Sequence, residues 1–133
     1  MRFMLQVIVK HYDEAIPPEE TERVSAMMRY NEDLQKAGIL LALDGLDTPS
    51  TGARITYPGG KAQVKDGPFP EAKEVLGGYW IIDVRSRDEA IEWAKRAPMS
   101  EEEVIEVRHV MDTGDFPEAV QADLAGFDEM RRR

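Results

Sequence analysis

Two groups of side chains in this sequence could perform acid–base or anion-binding chemistry. The first lies in DGPFPEAKEVLGGYW, residues 66 to 80, where Asp66, Lys73, Glu74 and Tyr79 surround Phe69, itself held between Pro68 and Pro70. The proline rings fix φ and remove two backbone donors, so the stretch reads as a built loop rather than a minimal connector. Asp66 could act as a general base if burial or a nearby negative group raised its pKa from about 4. The competing reading is a turn cap, because Asp-Gly before proline is a common turn opening. Phe69 reads as a hydrophobic plug that anchors the loop. Lys73 and Glu74 read as one exposed helical turn that presents polar groups to a ligand or a second subunit. Gly77-Gly78 marks either a close backbone approach to a ligand or a sharp entry into a strand.

The second group is Glu106 and Arg108, two apart on an expected strand and therefore on one face with Val104 and Val110. The flanking valines suggest a covered surface, where charges need partners. Arg108 could clamp a carboxylate or enolate while Glu106 orients it, since guanidinium offers a fork of donors that matches a carboxylate. A structural ion pair on an edge strand is the alternative. His11 and His109 are expected about a strand length apart, on the order of 15 to 20 Å, too far to share a metal within one chain. A pairing across a dimer stays open. No phosphate-binding glycine loop, Gly-x-Ser-x-Gly elbow or His-Glu-x-x-His pair occurs, so neither metal nor cofactor is expected.

The elements that must position these groups fit one domain of 133 residues, 42% of them hydrophobic. The formal charge of −9 disfavours direct nucleic-acid binding and attraction to anionic membrane. The only basic cluster, Arg131-Arg132-Arg133, reads as a solvated helix end. No apolar run approaches the roughly 20 residues of a membrane span, and cysteine is absent, so a cytoplasmic protein without thiolate chemistry is expected.

Residues 3 to 9 alternate as a strand buried on both sides. Pro17-Pro18 with Glu19 and Glu20 suits a helix start, and the stripe Val24, Met27, Met28, Leu34 and Ala37 continues to a stop at Gly38. A second strand follows over 39 to 43. Arg54 to Tyr57 and Ala62 to Lys65 flank Pro58-Gly59-Gly60 as a hairpin. Tyr79 to Val84 reads as a strand, Ser86 and Glu89 as the capping box of a helix from Arg87 to about Arg96, and Val104 to Met111 as the last strand. Phe116, Val120, Leu124 and Phe127 repeat at helical spacing, as a C-terminal helix over 113–133. The order is that of a ferredoxin-like α+β fold: an antiparallel sheet with two packed helices and an inserted hairpin.

Asp66-Gly67-Pro68-Phe69, Lys73-Glu74 and Leu76-Gly77-Gly78-Tyr79, with Met4-Leu5 and Glu106-Val107-Arg108, resemble the DGPF-domain proteins of the YCII-related family, a bacterial group. The similarity covers residues 1 to 112. It implies a ferredoxin-like domain that pairs through its sheets as a dimeric α/β barrel, a homodimer with a cleft for a small organic ligand. Some relatives use a His-Asp pair with the histidine on the first helix; here that helix reads Ala26-Met27-Met28-Arg29-Tyr30-Asn31 and lacks one. The resulting expectation is a small-molecule-binding protein, a lyase or isomerase on a small organic acid. Asp66 would be the proton acceptor, Arg108 the anion clamp, and Phe69, Lys73, Glu74, Tyr79 and Glu106 ligand-binding or supporting groups. The alternative is a non-catalytic regulatory or protein-interaction module linked to transcription.

Overall fold

The computed structural model describes residues 1–10 and 21–131. The strands are β1 (Arg2–Val9), β2 (Leu40–Gly45), β3 (Ala53–Thr56), β4 (Gln63–Asp66), β5 (Val75–Asp83) and β6 (Glu103–His109). The helices are α1 (Thr21–Lys36), α2 (Arg87–Lys95) and the short α3 (Glu118–Gln121). The expected helix start at Pro17-Pro18 and His11 lie outside the described residues.

Alternation in β1 buries Phe3, Leu5 and Val7 and leaves Met4, Gln6 and Ile8 half-buried on the other face. The four-stranded sheet runs β2-β5-β1-β6, antiparallel at every junction. As expected, the first and last strands are neighbours, with Phe3 opposite His109 and Val9 opposite Glu103. Tyr30 and Leu34 of α1 and Ala90 of α2 join Phe3, Leu5, Val7, Trp80 and Ile82 in one core. The core thus forms on one face of the sheet only. Removing these side chains from water supplies the main drive for folding, at roughly 1.5–3 kcal/mol for each large one.

The inserted hairpin is present as β3 and β4, a separate two-stranded sheet with Ile55 opposite Val64. The α2 cap also forms: the Glu89 amide donates to Ser86 Oγ at 3.1 Å. Its reciprocal bond differs, because the Glu89 carboxylate accepts from the Arg85 amide at 3.0 Å.

Four local expectations change. First, β5 begins at Val75, so Gly77 and Gly78 lie within it rather than in a loop. A Cβ on Gly77 would sit 2.8 Å from Val9 Cγ2, and one on Gly78 2.9 Å from the Asp44 carbonyl oxygen. The glycine pair therefore admits neighbouring strands, where β1 also shifts register between Val7 and Ile8. Second, Lys73 and Glu74 form no helical turn; the turn falls at Pro70–Glu71, closed by Ala72 N–H to the Phe69 carbonyl at 3.0 Å.

Third, the C-terminal segment is helical in pieces. After α3 come single 3-10 turns at Ala122–Leu124 and Asp128–Met130, separated where Ala125 turns extended and Gly126 takes φ +83. It is tied back on its own chain: Arg131 reaches Asp112 at 3.3 Å and the Met111 carbonyl at 3.2 Å, over the Phe127 ring. Fourth, the Glu106–Arg108 face is uncovered within one chain, both side chains being exposed.

Candidate functional site on the open sheet face

Strand pairing places four polar residues in one transverse row on the face opposite the core. Asp44 of β2 lies opposite Tyr79 of β5, Tyr79 opposite Gln6 of β1, and Gln6 opposite Glu106 of β6. Paired residues in an antiparallel ladder project to the same side, so all four side chains share the open face. Apolar groups border the row on both sides: Met4 and Ile81 are partners on one, Ile8 with Leu76 and Val104 on the other. Arg108, opposite Met4, sits at the end of the row beside Glu106.

The chemistry of the row is set by its hydrogen bonds. Tyr79 donates its hydroxyl proton to Asp44 Oδ2 at 2.7 Å. That bond, then burial, then the Asp44 charge hold the Tyr79 phenol above its ordinary pKa and keep it neutral. Arg108 Nη1 donates to Glu106 Oε2 at 3.3 Å. This exposed pair is long and solvent-screened, so it contributes little to stability and leaves the guanidinium able to re-engage an anion. Adjacent strands are about 4.8 Å apart, so Tyr79 and Glu106 stand roughly 10 Å from each other across Gln6, the span of a small organic molecule. The row offers a neutral phenol, a carboxamide, two carboxylates and one cation.

Of the residues singled out in the sequence, Tyr79, Glu106 and Arg108 come together here. Asp66, Phe69, Lys73 and Glu74 belong to a different unit. Asp66 ends β4 opposite Ala53 and is exposed. Phe69 lies beneath the Arg54 guanidinium, 4.1 Å from its ring centre. Glu71 accepts from Lys65 at 3.2 Å and Arg54 at 3.4 Å. The Gly67 amide donates to the Gly52 carbonyl at 2.9 Å. The loop is thereby fastened to one side of the hairpin, with the half-buried Phe69 ring held by a guanidinium outside the main core. Lys73 and Glu74 are exposed between that turn and β5.

Two members of the row, Asp44 and Gln6, were passed over in the sequence. Gln6 carries a signal: it has the parity of Met4 and Ile8, opposite to the core. Asp44 has none, because Asp-Gly reads as a turn.

In the first-helix stretch over residues 26 to 31, Tyr30 and Asn31 serve packing. The buried Tyr30 donates its hydroxyl to the Trp93 carbonyl at 2.7 Å and sets its ring edge-on to Trp80. Burial pushes its pKa up to about 12 against the nearby Arg96 charge. Asn31 Oδ1 accepts from Trp80 Nε1 at 2.7 Å. His109 packs on Phe3 at 5.2 Å, with Nε2 3.9 Å from Asp115. No metal-binding group of three His, Asp or Glu side chains occurs among the described residues. An open hollow of about 450 Å³ lies over α2, lined by Arg85, Ser86, Asp88, Glu89, Glu92, Trp93 and Arg96; it contains no member of the polar row.

A β2-β5-β1-β6 antiparallel sheet with two helices packed on one face and a polar row on the other defines a ferredoxin-like α+β domain. Within that class the chain belongs to the YCII-related domain family, whose model matches residues 1–114. It is 36% identical over 101 residues to an uncharacterized protein of Rhizobium meliloti (strain 1021), a match spanning 69% of this chain and 78% of that protein. No helix among the described residues is long and apolar enough to cross a membrane.

Proposed function

We propose that this YCII-related domain is a homodimeric small-molecule-binding protein whose ligand site forms where the open sheet faces of two copies meet. The observation that carries the reading is the polar row Asp44–Tyr79–Gln6–Glu106 running across the open sheet face between the apolar pairs Met4–Ile81 and Ile8–Leu76. Polar groups lined up between apolar borders suit a cleft that encloses a ligand and fixes its orientation. Half-buried Met4, Ile8 and Ile81 on that face would gain further cover from a second sheet.

In this reading Arg108 clamps the anionic end of a small organic acid. On binding, Tyr79 would turn its single hydroxyl proton from Asp44 Oδ2 to the oxygen that gains charge, as a lyase or isomerase acting beside a carbonyl requires, which frees that carboxylate oxygen to accept a proton. The proton-accepting role considered for Asp66 passes to the Asp44 carboxylate, which already lies on the row. Lys73 and Glu74 stand at the rim.

The test is a thermal-shift screen of the wild type, Arg108→Ala and Tyr79→Phe against small organic acids and aromatic ring-cleavage intermediates. An acid at 100 times its Kd should stabilise the wild type by about 2.7 kcal/mol. The shift should vanish in Arg108→Ala and shrink in Tyr79→Phe. Equal shifts in all three proteins would contradict the site. No stabilising acid, with the protein folded and dimeric, would favour the regulatory or protein-interaction module instead.

A further inference from the structure

We infer that the β3–β4 hairpin is an arm that docks on a second copy of this chain through its bare face, the face carrying Ile55 and Val64. The hairpin forms its own two-stranded sheet, and all eight of its strand residues are exposed. A lone two-stranded ribbon is marginal in water unless a face is packed. One face is packed by the chain itself: Arg54 and Lys65, paired across the strands, hold the loop through Phe69 and Glu71. The opposite face is not. Ile55 and Val64 lie directly across from each other there, 47% and 68% exposed, with Tyr57 67% exposed beyond them.

The base of the arm is braced, so little ordering remains to oppose docking. Gly67 is bonded to Gly52 and lies so close to Pro49 that a Cβ would fall 1.7 Å from the Pro49 carbonyl oxygen. The arm leaves the sheet after Gly45 and the chain re-enters it at Val75, on the strands that carry Asp44 and Tyr79 at the edge of the open face. A copy facing that sheet is within its reach of roughly 15 Å.

Charge selects the occupant. Residues 53 to 66 carry three cations, Arg54, Lys61 and Lys65, against one carboxylate, Asp66, in a chain of formal net charge −9. The arm is therefore complementary to the acidic body of another copy and relieves the repulsion that two such bodies would otherwise feel.

The inference rests on the homodimer proposed above, and the experiment separates the two. Because the chain has no cysteine, Val64→Cys gives a single thiol for a benzophenone photo-crosslinker. Irradiation should give an adduct of twice the chain mass. In sedimentation, Ile55→Ser with Val64→Ser should raise the dimer Kd at least about tenfold while leaving the Tm of the dilute monomer unchanged, as expected for an anchor pair. Lys61→Glu should weaken the dimer in low salt and less in high salt. A wild type that stays monomeric at all concentrations would overturn both the dimer and the arm. A dimeric wild type with no interchain adduct and an unchanged Kd in the double variant would overturn the arm alone. In that case Ile81→Asp, on the open face, should still dissociate the dimer.

Discussion

Replacing Gly67 by alanine should destabilise the fold far more than its exposed surroundings suggest. The new Cβ would meet the Pro49 carbonyl oxygen at 1.7 Å and its carbon at 2.7 Å. Both are main-chain atoms, so no side-chain rotation relieves the clash, and the two segments must part. Overpacking of this kind costs about 1–3 kcal/mol. Parting them also breaks the 2.9 Å bond from the Gly67 amide to Gly52, at about 1 kcal/mol. The total is roughly 2–4 kcal/mol, which at about 2.1 cal/mol/K per residue lowers Tm by roughly 7–14 °C in a chain of this length. The assay is calorimetric unfolding of Gly67→Ala beside Gly114→Ala, where a Cβ meets nothing within 4 Å and φ is ordinary. The hairpin is a separate sheet and can open locally, which would cap the global loss. Amide exchange at Gln63–Asp66 is therefore read on the same samples. A Gly67→Ala protein within about 2 °C of wild type, with hairpin protection unchanged, would refute the close approach.

Three further perturbations have expected outcomes. The buried Tyr30 hydroxyl, with its pKa raised from 10.0 to about 12, adds stability that is fully present below pH 10 and is lost as pH rises toward 12. Tyr30→Phe should cost about 1 kcal/mol at neutral pH for the lost bond to Trp93 and should flatten that alkaline fall in urea titrations. Glu103 is pushed up by burial, but its bonds from Arg23 and Ser100 outweigh this and hold its pKa below the ordinary value. Its contribution is present above the unfolded value and lost as pH falls through the folded one. Glu103→Gln should lower stability by roughly 1–3 kcal/mol at pH 7 and remove part of the acid transition. The raised Tyr79 pKa should appear as late ionisation in ultraviolet titration above pH 10 and move down in Asp44→Asn, while Tm stays within about 2 °C.

Much of the fold was legible because its signals are local and periodic. Alternation in Phe3, Leu5 and Val7, the Ser86 cap and the stop at Gly38 each depend on a few adjacent residues. The C-terminal segment misled because Phe116, Val120, Leu124 and Phe127 keep helical spacing, while left-handed Gly126 and extended Ala125 interrupt the backbone between them. Gly77-Gly78 misled because what a glycine admits is decided by strands distant in sequence. The site was half legible. Glu106 and Arg108 announced themselves as charges within an apolar strand, and Tyr79 as part of a dense motif. Asp44 and Gln6 matter only through register, which joins residues 35, 73 and 100 positions apart and leaves no local trace. Asp66 drew attention by its neighbours, and those neighbours brace a hairpin.

The claim at the centre is that ligand recognition belongs to the open sheet face. The most direct measurement is a set of ¹H–¹⁵N spectra of the full chain, titrated with the acid that stabilises it most and repeated on Arg108→Ala. The expected result is a cluster of saturable shifts at Gln6, Tyr79, Glu106 and Arg108, absent from the variant. Shifts centred on the α2 hollow around Trp93, or on the Asp66–Phe69 loop, and retained in Arg108→Ala, would contradict it.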